Sequence, residues 1–166
     1  MIKIIATLLT IFAFSTSHAK TVNVGIILGF TGPIESLTPD MAAGAELAFS
    51  EASNSGKLLN GSNINVIRAD STCIDSAAAT SAAEGLVSQG VTAIMGADCS
   101  GVTGAILSNV AVPNGVPMIS PSATSPGLTT AEDNGLFFRT APSDARGGEV
   151  LADITADRGI TSVAIT

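Results

Sequence analysis

The sequence predicts an α/β fold, an open, doubly wound and mostly parallel sheet with helices on both faces. Short β-branched runs alternate along the chain with longer segments in which apolar residues recur at helical spacing. This order favours parallel strands, because a helix that crosses back over the sheet lets the next strand start at the same end. Apolar residues make up 46% of the 166 residues and charged residues 13%, which supports a packed core and excludes a disordered chain.

Six segments have the composition of strands and are bounded by glycine or polar turns. The predicted strands are residues 21–28, 63–69, 91–95, 116–119, 136–139 and 162–165. The fifth is interpreted as a short extra strand or an edge segment. The chain stops directly after the sixth, and a strand in such a fold normally leads onward, so the sequence is interpreted as a fragment.

Two helices are predicted in the first half of the chain. The first begins with Asp40 as its N-cap and ends at Asn54-Ser55-Gly56. The second covers residues 76–89, is rich in alanine, and has Gly90 just past its end.

Two more helices are predicted further along. Val102, Ile106 and Val110 mark the third, which is expected to stop before Pro113 because a residue preceding proline disfavours helical geometry. The fourth is marked by three apolar residues at helical spacing: Val150, Leu151 and Ile154.

The first nineteen residues predict a signal peptide. A short basic start and the apolar run 4–14 precede Ser17 and Ala19, small residues that favour cleavage before Lys20. The alternative is a membrane anchor, but this run spans only about half of a bilayer core. Position 20 is not cysteine, which argues against a lipid anchor. We therefore expect an exported, soluble, periplasmic chain covering residues 20–166.

The composition excludes several classes of function. A net charge of −7 with scattered bases argues against nucleic-acid binding and against a basic helix on a membrane surface. His18 is the only histidine and is removed with the signal peptide, so a Ser-His-Asp or Cys-His site cannot form from this chain alone. Two cysteines are too few for a Cys-only zinc site. Enzymes can use carboxylates or lysine instead, but the commonest general base is missing, so we expect no enzyme activity, no metal and no cofactor.

Cys73 and Cys99 are the two cysteines of the chain. In an exported protein they are expected to pair, and closing so long a loop would contribute roughly 3–4 kcal/mol on the chain-entropy model. The alternative is two buried thiols.

Three polar turns follow predicted strands and are expected to meet at one edge of the sheet. They cover residues 29–33, 96–101 and 120–124 and consist mainly of small and hydroxyl residues. Ligands of open parallel sheets bind outside the carboxyl ends of the strands. Ser100 would also lie where the third helix begins, a position that favours an anion. These turns therefore predict capture of a carboxylate, although the same residues also suit ordinary strand-to-helix turns.

Several segments of the chain match one known family in their order and spacing. They are Gly29-Phe-Thr-Gly-Pro33, Gly44-Ala45-Glu46, the pair Cys73 and Cys99 with Ser100, Gln89-Gly90-Val91, Val116-Pro-Met-Ile-Ser-Pro-Ser-Ala-Thr124 and Phe138-Arg139-Thr140. With these segments the chain, from about Thr21 to Thr166, resembles the periplasmic leucine/isoleucine/valine-binding proteins of ABC transporters. The resemblance implies a two-lobed type I periplasmic binding protein, with residues 20–166 in its N-terminal lobe and the second lobe missing.

The resemblance also implies roles for individual residues. The hydroxyl of Ser100 would hold the ligand's α-carboxylate. Ser122 and Ala123 would offer backbone groups, with the carbonyl of Ser122 facing the ammonium, and Thr124 would contact the ligand through its N–H and hydroxyl. The Cys73–Cys99 pair would match the family disulfide and stiffen the segment that carries Ser100.

One position departs from the relatives. Several of them have an aromatic residue in the side-chain pocket where this sequence has Leu37. An apolar pocket is still expected, but the resemblance does not define its shape or the preferred amino acid. The aromatic wall and the acid that neutralises the ammonium come from the second lobe in this family.

The function expected from this resemblance is that of a non-enzymatic, exported substrate-binding component of an ABC importer. It would bind aliphatic or branched-chain amino acids and deliver them to a membrane permease. One alternative is the ligand-sensing ectodomain of a receptor on the same fold. Another is an exported α/β hydrolase with its catalytic histidine in the missing part, although Ser100 lacks the G-x-S-x-G pattern.

Overall fold

The structure is a computed structural model that describes residues 20–58 and 61–164. The predicted signal peptide, residues 1–19, lies outside the described residues. Among residues 20–58 and 61–164, no helix combines the length and the apolar run needed to cross a bilayer.

The core of the fold is a five-stranded sheet in which all paired strands are parallel, in the order β2-β1-β3-β4-β5. The strands are β1 (Thr21–Leu28), β2 (Asn63–Asp70), β3 (Val91–Gly96), β4 (Met118–Ser120) and β5 (Phe137–Arg139). The predicted fold class is confirmed, and the short segment near residue 137 is an edge strand.

In the described residues, five α-helices connect or follow these strands. They are α1 (Thr38–Asn54), α2 (Ser76–Ser88), α3 (Ser100–Ile106), α4 (Val112–Asn114) and α5 (Asp144–Asp157). A π-helical segment, Leu107–Ala111, joins α3 to α4, and a 3₁₀ turn, Pro126–Thr129, follows β4.

Helices cover both faces of the sheet because consecutive residues of a buried strand point to opposite sides. Ile27 belongs to the larger apolar cluster, which includes Leu86 of α2 and Ile106 of α3. Ile26 belongs to the smaller one, which includes Ala42 of α1. The near-continuous apolar run of β1 is therefore explained by burial on both faces.

The first helix begins earlier than the sequence suggested. Leu37 is its N-cap, Pro39 lies in its first turn, and Asp40 lies inside the helix, so the predicted cap at Asp40 is wrong. Proline favours this position, because its fixed φ suits a helix and its missing N–H is not needed there. The Thr38 hydroxyl secures the start by donating to the carbonyl of Gly29 over 3.1 Å.

The third helix does not stop before Pro113, contrary to the prediction. The helical path widens into the π segment and continues through Pro113 to Asn114. A wider turn ahead of the proline accommodates a ring that cannot donate a hydrogen bond and crowds the preceding turn. Gly115, with a φ of 66°, ends the helix in the left-handed conformation.

The C-terminal part of the described chain packs least. No residue of α5 is buried, and Leu151 and Ile154 of its apolar stripe are exposed. Residues 162–164 are not in a strand, so the described part of the predicted sixth strand is wrong; Ile165 lies outside the described residues. A strand requires a hydrogen-bonded neighbour, and no sheet pairing reaches residues 162–164 among those described.

Candidate functional site

The carboxyl ends of β1, β3 and β4 lie side by side, because these three strands are neighbours in the sheet and are parallel. The turns at residues 29–33, 96–101 and 120–124 therefore meet at one edge, as the sequence predicted. In an open α/β sheet this is the edge where ligands bind.

Hydrogen bonds join the turn after β3 to the loop after β4. The N–H of Ser125 donates to the hydroxyl oxygen of Ser100 over 3.1 Å, and the hydroxyl of Ser122 donates to the carbonyl of Asp98 over 3.0 Å. Thr124 directly precedes Ser125 in the loop. Ser100, Ser122 and Thr124 thus belong to one rim.

Ser100 is the first residue of α3 and is half-buried. Its oxygen accepts the bond from Ser125, and within the described part of the chain its hydroxyl hydrogen has no acceptor. A serine hydroxyl can accept and donate at the same time. It can therefore donate to an anionic group placed at the rim.

The loop after β4 divides its backbone groups between internal bonds and open positions. The N–H of buried Ala123 donates to the hydroxyl of Ser120 over 2.9 Å, and its carbonyl accepts from Arg139 over 3.3 Å. In the described residues, the carbonyl of Ser122 and the N–H of Thr124 have no hydrogen-bond partner. The loop thus leaves one acceptor and one donor available.

Thr124 and Asp144 form a second contact at this rim. The Thr124 hydroxyl donates to the carboxylate of Asp144 over 2.9 Å, and the N–H of Asp144 donates to the carbonyl of Thr124 over 3.0 Å. These two bonds attach the first turn of α5 to the loop. With its proton on Asp144, the Thr124 oxygen can still accept a bond from a cationic group.

A disulfide between Cys73 and Cys99 is present, as predicted, with the Cα atoms 5.2 Å apart. Cys99 is the residue before Ser100, so the bond ties the start of α3 to the turn after β2. Thr72 and Cys73 both have positive φ, at 56° and 69°. This turn therefore holds an uncommon backbone conformation beside the disulfide.

Asp98 is a residue of the site that the sequence analysis missed. Only 2% of it is exposed, and its carboxylate accepts bonds from the N–H of Gly29 (2.6 Å), the hydroxyl of Ser71 (3.1 Å) and the N–H of Cys99 (2.9 Å). The signal available in the sequence was an acid in a turn otherwise made of small residues. A buried acid almost always has partners, so an acid directly after a buried strand indicates a hydrogen-bonded position.

Arg139 was missed as well. Its guanidinium donates to the carbonyls of Ser125 (2.9 Å) and Ala123 (3.3 Å) and to the hydroxyl of Thr129. A planar group with several donors can hold several carbonyls in fixed positions. The side chain supports the loop after β4 from β5.

Asp70 connects two of the turns at the edge. It accepts from the hydroxyl of Thr31 over 2.6 Å and from the N–H of Thr72 over 2.8 Å. Burial raises the pKa of Asp70, but these bonds and further backbone bonds together outweigh burial and hold the pKa below its ordinary value.

An ion pair joins α1 to β2. Arg68 contacts Glu46 at 2.6 Å, and its guanidinium lies 5.4 Å from the centre of the Phe30 ring. The hydrogen bond from Arg68 holds the pKa of Glu46 below its ordinary value. Both side chains are well exposed, so the pair contributes little to stability.

The rim reaches solvent, since Ser100, Ser122 and Thr124 are each half-buried. A groove of about 450 Å³ borders α5, and another of about 250 Å³ lies between α1 and β4; neither includes Ser100 or Thr124. Leu37 lies beside the first turn with 56% of its surface exposed. A ligand held at this rim would keep one side in water, whereas small-molecule sites usually enclose most of the ligand.

Known proteins with similar sequences and structures share this fold. The family described as "Periplasmic binding protein" matches residues 21–166. The chain belongs to this family. The expected resemblance is therefore confirmed at the level of the family and the fold.

Individual relatives agree with this assignment. Leu/Ile/Val-binding protein homolog 3 of Brucella melitensis is 32% identical over 142 residues, which cover 84% of this chain and 37% of the relative. A second relative is the branched-chain amino acid transporter substrate-binding protein LivJ of Streptococcus pneumoniae, solved with isoleucine. It matches with a TM-score of 0.67 and 35% identity, and the match covers 75% of this chain and 35% of LivJ.

A further solved structure shows another ligand class on this fold. It is a solute-binding protein of an ABC transporter from Rhodopseudomonas palustris in complex with 3,4-dihydroxybenzoic acid, with a TM-score of 0.72 and 26% identity. The match covers 84% of this chain and 37% of the solved chain. The chain spans less than two fifths of the length of each of these three relatives.

Proposed function

We propose that this chain is the first lobe of an exported, non-enzymatic solute-binding protein of an ABC importer, and that its rim binds leucine, isoleucine or valine. The Ser100 hydroxyl and the Thr124 N–H donate to the ligand carboxylate. The Ser122 carbonyl and the Thr124 hydroxyl oxygen accept from the ammonium, and Ala123 keeps the loop between them in place.

The observation that carries this proposal is the hydrogen bond between Ser100 and Ser125. It brings the hydroxyl of Ser100 to the same rim as the N–H of Thr124 and the carbonyl of Ser122, which have no hydrogen-bond partner among residues 20–58 and 61–164. Two donors and two acceptors at one rim match the carboxylate and ammonium of an α-amino acid. The leucine-, isoleucine- and valine-binding relatives support an amino acid with an aliphatic side chain as the ligand.

The remaining features of the proposal follow from the family. A second lobe would cover the open side of the ligand and supply the wall of its side-chain pocket. The protein would work in the periplasm after removal of residues 1–19, and its partner would be a membrane permease.

Isothermal titration calorimetry of the protein expressed from its complete gene tests the ligand. Leucine, isoleucine and valine should bind, while leucinol, which lacks the carboxylate, and 4-methylvalerate, which lacks the ammonium, should bind far more weakly. Absence of heat with all three amino acids would contradict the proposal. Binding of 3,4-dihydroxybenzoate instead would assign the site to aromatic acids.

The importer role is tested separately from the ligand. Uptake of labelled leucine should fall in cells that lack the gene and return when the gene is supplied. Normal uptake together with tight leucine binding would favour a sensor ectodomain over a transport component.

A further inference from the structure

Asp98 lies at the centre of the edge, yet it has no role in the proposed contacts with the ligand. It is buried in the turn between β3 and α3. A buried carboxylate is costly unless donors satisfy its oxygens. An acid at such a place, with donors from several elements, indicates a specific structural task.

The donors to Asp98 come from three different places in the fold. Gly29 follows β1, Ser71 follows β2, and Cys99 is the N-cap of α3. One side chain therefore joins the ends of two strands to the start of the helix that carries Ser100.

The backbone of Asp98 extends this connection to the fourth strand. Its carbonyl accepts from Ser122, and two residues later the hydroxyl of Ser100 accepts from Ser125. A shift of the 98–100 turn would move both acceptors away from the loop after β4. The relative position of the two ligand-binding segments thus depends on where Asp98 is held.

We infer that Asp98 is a positioning residue of the ligand site. Its carboxylate fixes the 98–100 turn against the ends of β1 and β2, so that Ser100 and the 122–125 loop face the same space. The effect on ligand binding rests on the proposed function; the effect on the turn does not.

The variant Asp98→Asn tests this with little change in size. In the wild type, each carboxylate oxygen accepts from a backbone N–H, of Gly29 or of Cys99. In either orientation of the new amide, its NH₂ group faces one of these N–H groups, so a buried donor loses its partner. Ser71→Ala is a milder second variant that removes one donor and leaves the carboxylate. The control is Asp75→Ala, which removes the cap of α2, where Asp75 accepts from Ala77 and Ala78.

Amide hydrogen exchange provides a readout that needs no ligand. We expect the N–H of Ser125, which does not touch Asp98, to exchange about tenfold faster or more in Asp98→Asn, because a buried donor left without its partner destabilises the turn that holds Ser100. Ser71→Ala should change it in the same direction but less. Asp75→Ala should lower the unfolding temperature and leave Ser125 unchanged.

Calorimetric titration with leucine provides the second readout, at a temperature where every variant is folded. The Kd should rise by about tenfold or more in Asp98→Asn, because the unsatisfied donor displaces the turn, and stay at the wild-type value in Asp75→Ala. If Asp98→Asn does not fold, Ser71→Ala decides by the same two measurements. Unchanged Ser125 exchange, or an unchanged Kd despite faster exchange, would overturn the inference. If the wild type binds no aliphatic amino acid, the proposed function fails and Ser125 exchange alone decides the role of Asp98.

Discussion

Ser125 donates its backbone N–H to the hydroxyl oxygen of Ser100 over 3.1 Å, although the two residues are 25 positions apart in the sequence. The bond crosses between the start of α3 and the loop after β4. Because the oxygen accepts this bond, the hydroxyl hydrogen of Ser100 does not face Ser125, and it has no acceptor among the described residues.

Replacing Ser100 with alanine should weaken leucine binding by roughly 1–3 kcal/mol, because the ligand carboxylate loses a donor and the Ser125 N–H loses its acceptor. Calorimetry measures the change. Ser108→Ala is the matched control, since Ser108 is exposed and donates to its own helical segment at Gly104. Equal affinities of Ser100→Ala and wild type would remove Ser100 from the site.

Removing the disulfide should destabilise the fold. Replacing both Cys73 and Cys99 with serine opens a link that spans 26 positions and should lower the free energy of unfolding by roughly 3–4 kcal/mol on the chain-entropy model. Urea denaturation with and without reductant measures this. The serine variant provides the control, because its denaturation midpoint should not respond to reductant. A wild-type midpoint that is also insensitive to reductant would contradict the prediction.

The stability of the protein should decrease in acid partly through Asp70. Its folded pKa is lowered, so its contribution is present above the unfolded pKa of about 4 and is lost as the pH falls through the lower folded pKa. Asp70→Asn should therefore make the decline in stability between about pH 5 and pH 2 shallower, because the Asp70 contribution is lost in this range. Urea midpoints across this range measure the slope.

Thr31→Ala provides the companion test for Asp70. It removes the 2.6 Å hydroxyl donor, so the pKa of Asp70 should rise toward its ordinary value, as followed by NMR titration of the carboxyl carbon. An unchanged titration in Thr31→Ala would show that this bond does not set the pKa of Asp70.

Two glycine substitutions should have opposite effects. Gly32 has a φ of 99°, and an added Cβ would lie 2.5 Å from the carbonyl oxygen of Thr72, so Gly32→Ala should destabilise the fold by about 1–3 kcal/mol. Gly44 lies within α1 with nothing within 4 Å of an added Cβ, so Gly44→Ala should stabilise it by about 0.5–1 kcal/mol. Thermal unfolding compares the two variants. A Gly32→Ala variant as stable as the wild type would contradict the predicted clash of its Cβ with the Thr72 carbonyl.

Local sequence patterns determined most of the architecture. The apolar run of β1 and the alanine-rich α2 were predictable because burial and helical spacing leave a periodic trace in the sequence. The parallel sheet followed from the order of the elements, and the meeting of three turns at one edge followed from parallel strands. The start of α1 and the path of the helix through Pro113 were not predictable, since they depend on local bonding and on a wider helical turn.

Tertiary structure alone decided which polar groups of the edge are used internally and which are free. Asp98 and Arg139 are far in sequence from several of the groups they bind, and no periodicity marks such contacts. The sequence placed Ser100 and Thr124 on turns, but only the packing of β3 beside β4 brings the Ser100 hydroxyl to the N–H of Ser125. Hydrogen bonds form over about 3 Å, a distance that is set by the folded backbone and not by spacing along the chain.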